Sequence, residues 1–131
     1  MILALDTSTP ITELFLADSG GKILKQIKAE TGNQLSEQLL QIIEDALKDA
    51  DLKVSNLTGL IFVSGPGSFT GLRIGASTIN ALAYSLNIPV VGVPMGPDWL
   101  IKGLTRLNDM EDDKIVKLEY GAEAHITKQR K

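Results

Sequence analysis

The chain of 131 residues is long enough for one domain with its own core, and 44% apolar against 22% charged residues is ordinary for a globular protein. Its net charge of −3 and its isoelectric point near 5.1 argue against strong binding of RNA or DNA by this chain alone. It has no cysteine, which excludes disulfides and cysteine-ligated zinc and fits a reducing cytoplasm.

The two ends of the sequence carry no targeting signal that we can identify. Met1–Asp6 is apolar only over the length of a strand and has no basic residue before it. It therefore predicts neither a signal peptide nor a membrane span, and we expect a cytoplasmic protein. The basic ending Lys128–Lys131 is interpreted as a solvated terminus rather than as a nucleic-acid arm.

Three strands and a helix are predicted in the first half of the chain. Ile2–Leu5 is continuously apolar, which is typical of a strand buried on both faces. Ile11–Ala17 and Lys22–Ala29 are strands on either side of the turn Asp18–Gly21, and together they predict a hairpin. From Ser36 onward apolar residues recur at helical spacing, which predicts an amphipathic helix.

The remaining elements alternate between strand and helix. Leu60–Val63 predicts a buried strand, Thr70–Leu86 a helix and Pro89–Val93 a further strand. After Pro97 we expect a short helix, then an acidic loop and a polar tail. Three hairpin strands followed by helix, strand, helix and strand is the order of the ribonuclease-H-like fold. This order predicts an α/β protein with a five-stranded mixed sheet and flanking helices.

The second helix is apolar on nearly all sides, since Arg73 is its only charged residue between Ser68 and Asn87. Such a helix must be buried on nearly all sides, whereas one sheet covers only one face. Gly75 leaves room for another helix to approach closely. Two interpretations stay open: the short helix after Pro97 supplies the missing cover, or another subunit does. We favour the subunit interface.

A glycine-rich loop, Ser64–Gly75, joins the fourth strand to this helix. A loop of this kind exposes N–H donors at a helix N-terminus and can hold an anion such as a phosphate. The loop lacks the Gly-Lys-Ser/Thr ending of a P-loop, and Thr70 stands where the dinucleotide fingerprint needs its third glycine. The alternative, which is more common, is a tight connection without a ligand.

The first strand ends at polar residues that the predicted fold places near this loop. An aspartate there can hold Mg²⁺, and nearby hydroxyls can contact phosphates. Alternatively, Asp6 ends the strand and Ser8 caps a turn. No metal site is predicted, because no further carboxylate stands at a suitable strand end and His125 is the only histidine. The candidate cofactor-binding residues are Asp6, Thr7, Ser8, Gly65 and Gly67.

Two segments resemble one known family. Met1–Thr9 together with Gly65–Gly75 is similar to the TsaB (YeaZ) family, the tRNA threonylcarbamoyladenosine biosynthesis factors of the glycoprotease-like (Gcp-like) group. The second of these motifs is long and specific. The resemblance covers Met1 to about Val93, and Glu119–Lys128 resembles the family's C-terminal ending. It implies a lobe of the actin-like ATPase (ASKHA) class, which includes the ribonuclease-H-like fold.

The chain between these segments is shorter than the family pattern, which carries a second lobe of similar fold there. We expect residues 1–95 to form the ribonuclease-H-like N-terminal lobe. Residues 96–131 are expected to hold the short helix, the acidic loop and the tail, as a remnant of the second lobe. Leu35 replaces the family's usual histidine, which weakens a nucleotide or metal role further.

The resemblance implies a non-catalytic subunit. TsaB proteins pair with TsaD, the paralogous enzyme that transfers a threonylcarbamoyl group from its adenylate to the adenosine beside the tRNA anticodon, assisted by the ATPase TsaE. No cofactor is expected in this chain alone; the resemblance allows ATP–Mg²⁺ only at the complex. Two alternatives stay open: a nucleotide-binding or phosphotransfer lobe of the actin-like class, and a degenerate homologue that only homodimerises.

The resemblance also implies where pairing occurs, because the first lobes of TsaB and TsaD form a helical bundle through their two helices. A bulky charged residue at Gly75 is then expected to abolish pairing while the chain stays folded. A homodimer through the same helices is the alternative use of this surface. The interface residues expected on the two helices are Leu35, Leu39, Ile43, Leu72, Gly75, Ala76 and Ile79.

Overall fold

The structure of the chain, a computed structural model, describes residues 1–119. The predicted strands and helices are confirmed, with ends that differ by about two residues or fewer. In order they are β1 (Ile2–Asp6), β2 (Ile11–Ala17), β3 (Ile23–Glu30), α1 (Leu35–Asp49), β4 (Gly59–Gly65), α2 (Phe69–Leu86), β5 (Val90–Pro94) and α3 (Trp99–Asn108).

The strands form one mixed sheet in the order β3-β2-β1-β4-β5. β1 is antiparallel to β2, and β2 is antiparallel to β3, whereas β1–β4 and β4–β5 are parallel pairs. The β2–β3 hairpin turns because the Asp18 carboxylate accepts the N–H groups of Gly20 and Lys22. The predicted fold class is therefore confirmed.

Alternate residues of each strand point to opposite faces of the sheet, and both faces carry buried apolar residues. Helices cover both faces. α1 and α2 pack on the face that carries Leu3, Leu5 and Phe62. α3 packs on the other face, where Trp99 meets Phe15 edge to face at a centroid distance of 5.7 Å.

The position of α3 decides between the two interpretations of α2. α3 lies on the opposite face of the sheet, so the interpretation that it covers α2 is wrong. α2 instead has α1 on one flank and Val116 on the other, since all three belong to the same core cluster. The part of α2 that points away from the sheet has no cover within residues 1–119.

The segment after α3 wraps around the β5 edge. We call residues 109–119 the strap. It leaves the α3 layer, crosses β5, buries Val116 beside α2 and ends where the Glu119 N–H donates to Ser64 O at 2.9 Å. Within residues 1–119, none of the helices combines the length and the apolar character that crossing a membrane requires.

Candidate cofactor loop and partner-binding face

The carboxyl ends of β1 and β4 lie side by side, because the two strands are parallel and Leu5 is opposite Phe62. The residues that follow each strand are therefore neighbours. The structure brings together all the candidate cofactor-binding residues, which are Asp6, Thr7, Ser8, Gly65 and Gly67.

The polar groups at this point are paired within the chain. Asp6 Oδ1 accepts the backbone N–H of Ser8 at 2.9 Å and its hydroxyl at 2.6 Å. Thr7 Oγ1 donates to Gly71 O at 2.7 Å, and the Ser68 N–H donates to Ser8 O at 2.7 Å. Asp6, Thr7 and Ser8 are all buried. These bonds hold the end of β1 against the start of α2.

The glycines permit this close approach. A Cβ on Gly67 would lie 2.6 Å from the Cβ and the carbonyl oxygen of Ser8. A Cβ on Gly71 would overlap Thr7 O, and one on Gly75 would overlap Thr7 Oγ1. Real Cβ atoms are not found so close to backbone or buried side chains, so glycine is required. The glycine spacing therefore serves packing between β1, the loop and α2.

The loop also has close neighbours on its other side. Gly65 has φ +116°, a conformation that favours glycine, and a Cβ there would overlap Glu119 O. In residues 1–119, no three His, Asp or Glu side chains are grouped as a metal ion would need. His125, the only histidine, lies outside the described residues.

The residues predicted for the partner interface lie inside the chain. The leucine, isoleucine and alanine residues of this set are at most 6% exposed. Gly75, which has no side chain, packs against Thr7 and Phe62. The face assignment is therefore corrected: these residues contact the sheet or the neighbouring helix. The helices lay their widest apolar stripe on the sheet, as amphipathic packing requires. The set is Leu35, Leu39, Ile43, Leu72, Gly75, Ala76 and Ile79.

A different set of residues on α1 and α2 points to solvent, and we call it the outer face. On α1, the side chain of Leu40 is 62% exposed although it is apolar. On α2, the exposed residues Thr70, Ser77 and Ala81 are small, and Ile74 is half-buried among them. The outer face consists of Leu40, Thr70, Ile74, Ser77 and Ala81.

Between the starts of the two helices the outer face continues into a shallow groove. Its volume is about 460 Å³. The residues that line it include Pro10, Ser36, Thr70 and Ile74. The only charge on α2, the Arg73 guanidinium, lies 5.2 Å from the centroid of the exposed Phe69 ring. The surface of α2 therefore presents little charge that a partner would have to desolvate.

A cluster of charged residues that sequence reasoning did not single out holds the strap. Arg106 donates to the carboxylates of Glu111 and Asp113 and to Gly92 O. The hydrogen bond to Asp113, and then that to Glu111, raise the pKa of Arg106 above its ordinary value. The acidic run after α3 was the one sign of this cluster in the sequence. Its spacing alone does not predict that it contacts β5.

The carboxylates of the strap are stabilised in their charged form. Burial raises the pKa of Asp113, but hydrogen bonds from Arg106 and the Gly92 N–H outweigh burial and hold the pKa below its ordinary value. Burial likewise raises the pKa of Asp112, and the N–H groups of Val90 and Lys114 lower it overall.

The sequence is similar to curated proteins that take part in tRNA modification. A family profile described as "TsaD: tRNA N6-adenosine threonylcarbamoyltransferase" matches residues 23–95, more than half of the chain. The tRNA threonylcarbamoyladenosine biosynthesis protein TsaB of Haemophilus influenzae is 33% identical over 93 residues, which cover 70% of this chain and 38% of the relative. TsaB of Bacillus subtilis is 34% identical over 92 residues, covering 70% and 40%.

Two further similarities extend this result. The tRNA N6-adenosine threonylcarbamoyltransferase of Geotalea daltonii is 34% identical over 108 residues, which cover 71% of this chain and 32% of the relative. The solved structure of YeaZ from Pseudomonas aeruginosa superimposes with a TM-score of 0.66 at 32% identity, covering 71% and 43%. The chain thus spans from about a third to less than half of the length of these proteins. It belongs to the TsaB (YeaZ) family of tRNA threonylcarbamoyladenosine biosynthesis proteins.

Proposed function

We propose that the chain is a non-catalytic subunit that pairs with a TsaD-type protein and supports threonylcarbamoyl transfer to tRNA. The observation that carries this proposal is the outer face, where α2 exposes the uncharged residues Thr70, Ser77 and Ala81 and α1 exposes the apolar Leu40. The transfer chemistry belongs to the partner, and a TsaE-type ATPase joins the same complex. Because the tRNA that the partner modifies is cytoplasmic, we propose that this chain acts in the cytoplasm too.

The outer face has the shape that helix pairing needs. Ser77 and Ala81 are one turn apart on α2, and small side chains let a second helix approach to about 8–10 Å between axes. Leu40 and Ile74 supply apolar surface at the side nearest α1. A partner with two antiparallel helices would complete a bundle around these residues.

The size of this surface sets the expected affinity. α2 has 18 residues, so it is about 27 Å long, and two adjacent helices offer a patch of about 500 Å² per partner. Specific interfaces begin near 1,000 Å² in total. We therefore expect a complex that forms at micromolar concentrations, held mainly by apolar contact and shape.

The paired polar groups at the glycine loop support a non-catalytic role. Asp6 Oδ1 accepts two hydrogen bonds from Ser8, and Thr7 Oγ1 donates to Gly71 O and so fastens β1 to α2. ATP–Mg²⁺ is accordingly assigned to the complex and not to this chain alone. The expected mechanism is conformational: the chain binds the active state of the partner more tightly than its other states.

Light scattering after size exclusion tests the proposal, with the chain alone and mixed with a TsaD-type paralogue. We expect a one-to-one complex for the unaltered chain. Ser77→Glu places a charge on the outer face and is expected to abolish the complex. Ser55→Glu introduces the same change at an exposed position outside α1 and α2, and is expected to pair normally.

A transfer assay separates pairing from catalysis. The chain alone is expected to transfer no threonylcarbamoyl group, and adding it to the paralogue is expected to raise the rate. Ser77→Glu is expected to remove that increase, whereas Ser55→Glu keeps it. A Ser77→Glu variant that still pairs would overturn the interface. A chain that forms only homodimers, or that has transferase activity alone, would overturn the subunit role.

A further inference from the structure

The two edge strands of the sheet are protected in different ways. Edge strands present unpaired N–H and C=O groups, which another molecule's strand can bind. β3 carries Lys25 and Lys28, and charged side chains of this kind discourage pairing between copies. The run Val90–Val93 in β5 has no charge and is rich in β-branched residues, so its side chains provide no such protection.

The strap and α3 occupy the outer edge of β5 instead. The Val90 N–H donates to Asp112 Oδ1 at 3.1 Å, and Val90 O accepts the Asp113 N–H at 2.8 Å. The Gly92 N–H donates to Asp113 Oδ2 at 2.7 Å, and Gly92 O accepts from Arg106 Nη1 at 2.7 Å. Both donors and both acceptors of these two residues are therefore used.

These are the groups that a neighbouring strand would bind. Alternate residues of an edge strand direct their backbone groups outward, so Val90, Gly92 and Pro94 form the outer row. Pro94 has no N–H to donate. Two carboxylates, the guanidinium and the Asp113 N–H thus satisfy Val90 and Gly92 without forming a strand that could itself be extended.

Few contacts hold the strap beyond β5. The Val116 N–H donates to Asn80 Oδ1 at 2.8 Å, and Asn80 Nδ2 donates to Val116 O at 3.4 Å. Val116 is the buried apolar anchor, and Glu119 is bound to Ser64 through its N–H. The contacts around Arg106 and Asp113 are therefore the ones whose loss uncovers the β5 edge while the rest of the fold remains.

We infer that β5 is a latent self-association edge and that the strap, through Arg106, Asp112 and Asp113, keeps it from pairing with β5 of a second copy. The second copy is the partner that this edge fits. Two β5 strands that meet antiparallel about a two-fold axis place uncharged β-branched residues opposite each other, with no repulsion between charges. This surface is separate from the outer face of α1 and α2.

The test removes the charged contacts in the Ser77→Glu background, so that pairing through the outer face does not contribute. The variant is Arg106→Met with Asp112→Ala and Asp113→Ala, which removes the side-chain partners of Val90 and Gly92. Its matched control is Lys102→Met with Asp98→Asn, which removes another ion pair of α3 that is not bonded to β5. We expect the first variant to double in mass as its concentration rises, and the control to remain monomeric.

Hydrogen exchange identifies the edge that pairs. At low concentration the amides of Val90 and Gly92 are expected to lose protection in the variant, while β1 amides keep theirs. Protection of Val90 and Gly92 should return as the dimer forms. A variant that stays monomeric with β1 intact, or a dimer that leaves these two amides unprotected, would overturn the inference. If this variant does not fold, Asp112→Ala with Asp113→Ala is judged by the same two measurements.

Discussion

The inner and outer faces of α2 both carry small residues, but these residues have different roles on the two faces. On the inner face, Gly71 and Gly75 bring the helix into contact with Thr7, where no side chain has room. On the outer face, Ser77 and Ala81 are exposed and touch no other element closely enough to need their size. Small residues therefore mark close packing inside and an accessible flat surface outside.

This contrast explains why α2 is apolar on nearly all sides without being buried on all sides. Its inner stripe, with Leu72 and Ile79, is fully buried against the sheet. Its outer row exposes little apolar area, because Thr70, Ser77 and Ala81 are small and Ile74 is half-buried. A helix of this composition is stable in a monomer and still able to bind a second helix layer.

The largest expected effect comes from Gly75→Leu on the inner face. A Cβ there would overlap Thr7 Oγ1 and lie 2.6 Å from Phe62 Cε1, and both neighbours are fully buried. We expect a loss of about 3 kcal/mol or more in the free energy of unfolding, measured in urea. The expectation that a bulky charged residue at Gly75 leaves the chain folded is corrected for the same reason.

Ser77→Leu is the control on the outer face. It adds the same side chain at an exposed helical position, where the change in the free energy of unfolding should stay within about 0.5 kcal/mol. Equal stability of the two variants would show that Gly75 is not closely packed, and the inner-outer contrast would be wrong.

A smaller effect is expected where the strap covers the flank of α2. Asp113→Asn removes one of the two charged partners of Arg106, and we expect a loss of about 1 kcal/mol at pH 7, since both side chains are nearly one-third exposed. The folded state holds the pKa of Asp113 below its unfolded value near 4, so this stabilisation is present above about pH 4. It is lost as pH falls through the lower, folded pKa.

The pH dependence distinguishes this contact from a general weakening. Urea unfolding of the wild type and of Asp113→Asn should differ at pH 7, and the difference should shrink as pH falls below about 4. A difference that stays constant over that range would show that the Asp113 charge does not hold the strap.

The fold could be predicted because its signals are local. Continuous apolar runs such as Ile2–Leu5 and the helical spacing after Ser36 determine the elements, and their order determines the sheet. The approach of Asp6 to the glycine loop followed from parallel strands ending at one edge. These inferences need no knowledge of side-chain contacts.

The face of each helix could not be predicted in the same way. Helical spacing identifies an apolar stripe, but two stripes compete on a helix as apolar as α2, and only packing shows which one the sheet covers. The deciding contacts join residues far apart in sequence, such as Gly75 with Thr7 and Gly103 with Ile61. Leu40 is as apolar as its neighbour Leu39, yet Leu39 is buried and Leu40 is exposed to solvent.

The strap was also beyond sequence reasoning. Its acidic residues were interpreted as a loop because a run of carboxylates is usually solvated. Asp112 and Asp113 accept the N–H groups of Val90 and Gly92, more than 20 residues earlier in the chain. Nothing in the local spacing connects an edge strand to the carboxylates that satisfy it.

The smallest expected effect tests the inner face at the glycine loop. A ligand present at about 100 times its Kd raises the free energy of unfolding by about 2.7 kcal/mol, which is a shift of several degrees in Tm for a domain of this size. Thr7 is bonded to Gly71 of α2, the Ser8 hydroxyl to Asp6, and the Ser68 N–H to Ser8 O, so we expect millimolar ATP–Mg²⁺ to leave the Tm of the chain alone unchanged. A shift that disappears in Gly67→Ala would mean that the loop opens to hold phosphate. The inner face of α2 would then be a binding site as well as a packing surface, and the nucleotide-binding alternative would replace the non-catalytic one.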